Sequence, residues 1–323
     1  MRRREFITLI GGGAVWPYMA RAEQLPVIGL LGAATASGWA PQLRAFFQGL
    51  RDGGYAEGRN VAIEARWADN KYDPLPAMAA ELAQRQVTLI AAFSTPSARA
   101  AKAATATIPI VFSTTADPVQ MGFVASLNRP GGNMTGATIL SVEVGGKLLE
   151  LLHEAVPTAK IMALLVNPTN PQTDTLSRNT QAAARASALQ LHVLNASTER
   201  EFDTVFAKVA QLRADGLIIG SDVLFTTWIE QLAALTLRHA VPAVFQNRAF
   251  VSAGGLMSYG GNTTESYRQI GLYTARILKG EKPAELPVVR ATKVELIINL
   301  KTAKTLGVNV PNTLIGRADE VIE

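Results

Sequence analysis

The 323-residue chain contains no cysteine and only three histidines. The first absence excludes disulfides, thiolate metal sites, thiol catalysis and a lipid-bearing N-terminal cysteine. The histidines, His153, His192 and His239, stand far apart, and no H-E-x-x-H or H-x-H spacing gathers them into a metal site. A phosphate loop G-x-x-x-x-G-K-[ST], a G-x-G-x-x-G turn after the first strand and a G-x-S-x-G elbow are also missing. No cofactor, no metal and no enzymatic activity are therefore expected. Aromatics are sparse at 7%, but 48% hydrophobic residues suffice for a full core.

What is present begins with charge. The formal net charge is +5, which on its own points to a polyanion partner. Its location changes that reading. Arg2, Arg3 and Arg4 precede an apolar run from Phe6 to Met19 and then Ala20-Arg21-Ala22, the layout of an export signal with a small-x-small cleavage site. The run is too short to span a bilayer, which takes about 20 apolar residues. Arg3-Arg4-Glu5-Phe6-Ile7 resembles the twin-arginine address, although a Sec signal fits the same layout. Cleavage after Ala22 removes a net +3 from the +5 and leaves +2. The expected product is a nearly neutral protein of the bacterial periplasm, with no nucleic-acid partner and no stable membrane insertion.

From Gln24 onward short apolar runs alternate with segments of helical period, the pattern of an α/β protein with mostly parallel strands. Three of these runs recur in order. Val27–Leu31 returns as Ile161–Leu165, Leu89–Ser94 as Leu217–Asp222, and Ile108–Phe112 as Val241–Phe245, at shifts of 134, 128 and 133 residues. Three ordered matches at nearly one offset indicate two similar lobes. The expected division is a signal at 1–22, a first lobe of 24–136 plus 248–285, and a second of 137–247 plus 286–323. The tail, with strands at 256–259 and 293–298, implies further crossings between the lobes.

Open α/β sheets bind ligands at the C-terminal ends of their strands. In the first lobe these ends carry Ser94, Thr95 and Ser97, then Thr114 and Asp117; in the second they carry Asn167, Asp222 and Gln246. Hydroxyls at a helix start suit an anionic group, and Asp222, the repeat partner of Ser94, suits an ammonium. Together they suggest a zwitterion. Ser94 and Asp222 read equally well as ordinary helix N-caps. Trp39 and Tyr259 lie beside these loops as candidate aromatic walls.

Several longer segments carry a resemblance. Phe47-Gln48-Gly49-Leu50-Arg51, Gly54-Tyr55-Ala56-Glu57-Gly58-Arg59-Asn60, Asp117-Pro118-Val119, Asn128-Arg129-Pro130-Gly131-Gly132-Asn133 and Val166-Asn167-Pro168 resemble the ABC-transporter substrate-binding family of the tryptophan/tyrosine type. So do Gly254-Gly255-Leu256-Met257-Ser258-Tyr259 and Ile298-Asn299-Leu300-Lys301. The resemblance implies a type I periplasmic-binding fold, two Rossmann-like lobes joined by three crossovers around a ligand cleft. It implies a small-molecule solute, an amino acid or aromatic carboxylate, with an ABC permease and ATPase as partners. A sensor working with a receptor, or an unfamiliar periplasmic enzyme, remains an alternative reading. A DNA-binding regulator has no room for its helix-turn-helix before the first strand.

Overall fold

The computed structural model describes residues 25–139, 144–261, 263–290 and 294–323. The expected export signal lies outside the described residues. The first sheet is built from β1 (Val27–Gly32), β2 (Ala62–Trp67), β3 (Leu89–Phe93), β4 (Ile110–Thr114) and β5 (Met134–Thr138). Helices α1 (Ala40–Asp52), α2 (Leu75–Gln84) and α3 (Thr95–Ala104) connect them. The second sheet uses β6 (Ile161–Val166), β7 (Gln190–Asn195), β8 (Gly216–Ile219), β9 (Ala243–Phe245) and β10 (Met257–Gly261). Its helices are α4 (Val144–Ala155), α5 (Thr173–Ala186), α6 (Phe202–Leu212), α7 (Val223–Thr227), α8 (Ile229–Arg238) and α9 (Arg248–Ser252). The chain ends with α10 (Thr263–Leu278), β11 (Val289–Arg290), β12 (Val294–Asn299), α11 (Leu300–Thr305), α12 (Asn312–Ile315) and β13 (Glu320–Ile322).

The strand orders are β11-β5-β4-β3-β1-β2 and β13-β12-β10-β9-β8-β6-β7. Removing the late strands leaves one order in both sheets, with β6 to β10 in the places of β1 to β5. The three sequence repeats fall on β1 and β6, β3 and β8, and β4 and β9. Among the described strands, pairing is parallel except between β10 and β12. Such sheets are buried on both faces, and β3, β4 and β5 have no residue that is not buried.

The chain passes between sheets three times: from β5 to α4, from β10 to α10, and from β11 to β12. This moves the expected lobe boundaries. Residues 248–261, expected in the first lobe, belong to the second, because β10 pairs with β9 and β12. Residues 286–290, expected in the second, belong to the first, because β11 pairs with β5. The tail's first strand and helix therefore part company. Helical period and strand pattern locate the elements but carry no information about which side of a crossing each one packs on.

Helix α10 returns to the first lobe by a close crossing with α1. A Cβ on Gly49 would come within 1.9 Å of the Arg268 carbonyl oxygen, and one on Gly271 within 2.0 Å of the Phe46 oxygen. Backbones approach this closely only where side chains are missing. At an exposed helical site, glycine to alanine gains about 1 kcal/mol from propensity. Here overpacking of about 1–3 kcal/mol reverses the sign. Gly271→Ala should lower stability in urea unfolding by about 1 kcal/mol net, whereas a gain would show that the two helices part freely.

Candidate functional site

The C-terminal ends of the two parallel sheets face each other across a cleft. A cavity there, with ≈ 730 Å³ of unoccupied space including its mouth, takes its walls from both lobes. The mouth continues past Gln42, Thr226 and Asn247 into a wider groove bordered by Trp228. Hydrogen bonds join the lobes around it. Thr227 Oγ1 donates to Asn70 Oδ1 at 3.0 Å, Thr115 Oγ1 donates to Gln172 Oε1 at 2.9 Å, and Tyr72 donates its phenol to Asp222 Oδ2 at 2.7 Å.

The first-lobe wall is a hydroxyl cluster, for a local reason. Ser94 ends β3 with φ 154° and ψ 163°, a region that only glycine occupies readily. Its Oγ accepts the Ser97 N–H at 3.2 Å, which caps α3 and holds the turn. Thr95, the first residue of the helix, is thereby aimed at the end of β4. Its hydroxyl lies 2.9 Å from that of Thr114 and 3.4 Å from that of Thr115. Thr115 passes the chain of bonds to Gln172 in the second lobe. The amide nitrogen Nε2 of Gln172 and the carbonyl oxygen Oε1 of Gln42 are buried at this cavity without partners.

The second-lobe wall centres on Asp222, which is 6% exposed. Asn167 donates to its Oδ1 at 3.1 Å and the Leu224 backbone N–H at 2.8 Å; Asn170 donates to Oδ2 at 2.8 Å beside Tyr72. Burial pushes its carboxyl above the usual carboxylate range, and these hydrogen bonds oppose the shift. Asp222 is thus both the N-cap of α7 and a member of the cavity wall.

Trp39 packs edge-on against Tyr267 of α10 with ring centroids 6.2 Å apart, and Tyr267 meets Phe93 at 5.5 Å. Burial pushes the Tyr267 phenol up to about 12.

Of the ten residues singled out in the sequence, six line the cavity: Trp39, Ser94, Thr95, Thr114, Asp222 and Gln246. Four do not. Ser97 turns its hydroxyl to Ser94 at 2.8 Å, and Asp117 caps its own turn by accepting from the Val119 N–H at 2.8 Å. Asn167 stands behind Asp222 and supports it. Tyr259 packs into the second-lobe core, because its strand alternates toward that face. The sequence reading missed Tyr72, Gln42, Gln172 and Tyr267. Tyr72 follows the end of β2, where the strand-end rule alone pointed; Tyr267 arrives on a helix whose lobe the sequence does not specify. Among the described residues no cluster of histidine, aspartate and glutamate can hold a metal ion, and no helix is long and apolar enough to cross a membrane.

The neutral phenol of Tyr267 links stability to pH. Folding holds its proton, so its contribution is complete below pH 10 and is lost as pH rises toward about 12. Tyr267→Phe should move the alkaline unfolding midpoint, followed by circular dichroism, to higher pH; an unmoved midpoint would mean another group governs it.

Comparison with known proteins agrees with this arrangement. The family described as "ABC transporter substrate binding protein" matches residues 39–322. A tyrosine-binding protein of Clostridioides difficile is 28% identical over 264 residues, covering 81% of this chain and 75% of that protein. The crystal structure of a conserved domain protein from Vibrio cholerae superposes with a TM-score of 0.82 at 25% identity, covering 92% of this chain and all of that one. That of an ABC domain in complex with L-Trp from Streptococcus pneumonia gives 0.80 at 22% identity, with 92% of this chain and 100% of that chain covered. The match over nearly all of both lobes means that this chain belongs to the ABC transporter substrate-binding protein family.

Proposed function

We propose that the chain is the exported solute-binding component of an ABC importer. It takes an amino acid or an aromatic carboxylate into the cleft and delivers it to a permease and its ATPase. The observation that carries this reading is the cavity walled from both lobes at the sheet ends. A ligand there touches both lobes only when they are together, so binding favours the closed arrangement and membrane partners can read closure. Two relatives, one named for tyrosine and one holding L-Trp, support an aromatic ligand body. Trp39 and Tyr267 offer it flat surfaces. The basic N-terminal segment supports export to the periplasm.

The wall is rich in hydroxyls and amides and, among the described residues, contains no lysine, arginine or histidine. A carboxylate is then held by hydroxyls, by the N–H of Thr95 and by the α3 dipole instead of a cation. A true ligand at 100 times its dissociation constant adds about 2.7 kcal/mol of stability. A thermal-shift screen of the mature chain against amino acids and aromatic acids should find such a compound, and Gln172→Ala should weaken it at least tenfold in calorimetry. Silence across both classes would remove this reading. For export, Arg3→Lys with Arg4→Lys should strand a reporter fused to residues 1–22 in the cytoplasm, while unimpaired export would exclude the twin-arginine route.

A further inference from the structure

We infer that Tyr72 occupies the place of a ligand's ammonium, so that the cleft selects aromatic carboxylates lacking an α-amino group over the matching amino acids. The inference rests on the solute-binding reading above and narrows its ligand class.

It starts from the lone pairs of Asp222. A carboxylate offers about four acceptor positions, and all are taken: Asn167 and the Leu224 N–H on Oδ1, Asn170 and Tyr72 on Oδ2. Three of these donors come from the second lobe itself. The fourth crosses the cleft. Tyr72 is delivered by the turn after β2, where Asp69 and Asn70 adopt left-handed backbone with φ of 49° and 63°. Both residue types tolerate that geometry, and it turns the chain toward the second lobe. Asn70 is itself anchored there by Thr227.

Among the described residues, Asp222 is the only carboxylate in the cavity wall. An α-ammonium needs three acceptors and a counter-charge when it leaves water, and a buried cation without them is strongly disfavoured. To reach Asp222 it has to displace Tyr72, leaving the phenol without its partner. Among the described residues of the wall, the acceptor side chain that is buried without a partner is the carbonyl of Gln42, which is neutral.

The opposite end of the cavity is differently provided. The Thr95 hydroxyl lies 2.9 Å from that of Thr114 and 3.4 Å from that of Thr115, and Gln172, 8% exposed, holds an unused N–H there. An acid group therefore finds free donors where an ammonium finds a filled acceptor. Tyr72 acts here as a specificity-determining residue, with the phenol standing in for the amine that the ligand lacks.

The test uses matched pairs with the mature chain in calorimetry: 3-(4-hydroxyphenyl)propanoate against L-tyrosine, indole-3-propanoate against L-tryptophan, and 3-phenylpropanoate against L-phenylalanine. In the pair that binds, the acid lacking the amine should be at least tenfold tighter. Tyr72→Phe, which removes one oxygen, should shrink that ratio at least tenfold by freeing Asp222 for the ammonium. An amino acid that binds as tightly as its partner acid, or a ratio unchanged in Tyr72→Phe, overturns the inference and leaves the solute-binding reading intact. Absence of binding in all three pairs removes the aromatic ligand class and the inference with it.

Discussion

A buried carboxylate imposes its surroundings. Asp222 cannot stay charged away from water unless its lone pairs are met, and the four donors that meet them come from different parts of the chain. Asn167 and Asn170 come from the loop after β6, Leu224 from the start of α7, and Tyr72 from the other lobe. The loop after β6 is shaped to deliver its donors: Asn167 Oδ1 accepts the Thr169 N–H, and Asn170 Oδ1 accepts the Gln172 N–H. Asn170 therefore both satisfies Asp222 and positions Gln172 beside the first-lobe hydroxyl of Thr115. One charge organises both ends of the cleft.

The glycine crossing of α1 and α10 serves the same site from the other side. Tyr267 reaches the cavity only because α10 returns to the first lobe and lies close enough to α1 to put its ring against Phe93 and Trp39. A looser crossing would carry the aromatic wall away from the hydroxyls. The two helices belong to segments more than 200 residues apart in sequence and are brought together by the second passage between the sheets.

Much of this was legible in the chain. The repeated strands predicted two lobes of one topology, and the strand-end rule found Ser94, Thr95, Thr114, Asp222 and Gln246 in the cavity wall. The errors have physical causes. Polar residues at strand ends divide between facing the ligand and closing their own turn, and composition does not separate the two: Asp117 and Ser97 cap, whereas Thr95 faces the cavity. Tyr259 lies in the middle of β10, and the pleat turns it inward. Contacts across a cleft leave no local signature at all. Neither Tyr72 nor Gln42 carries any sign in sequence that the other lobe will face it.

Ser94 and Asp222, repeat partners read as caps or as ligand contacts, are both caps that line the cavity, and the combination is informative. A side chain that caps a helix is held rigid by the backbone it serves, which reduces the entropy lost when a ligand arrives. Ser94 adopts a backbone geometry natural to glycine, a local cost of order 1–3 kcal/mol that the surrounding turn must offset. Holding Thr95 against Thr114 gives that cost a structural result, since it fixes the hydroxyl cluster before any ligand is present. The lobes share an architecture, and what distinguishes their faces is the residue at one repeated cap: a hydroxyl that leaves donors free in the first, and a carboxylate whose demand for donors draws a phenol across the cleft in the second.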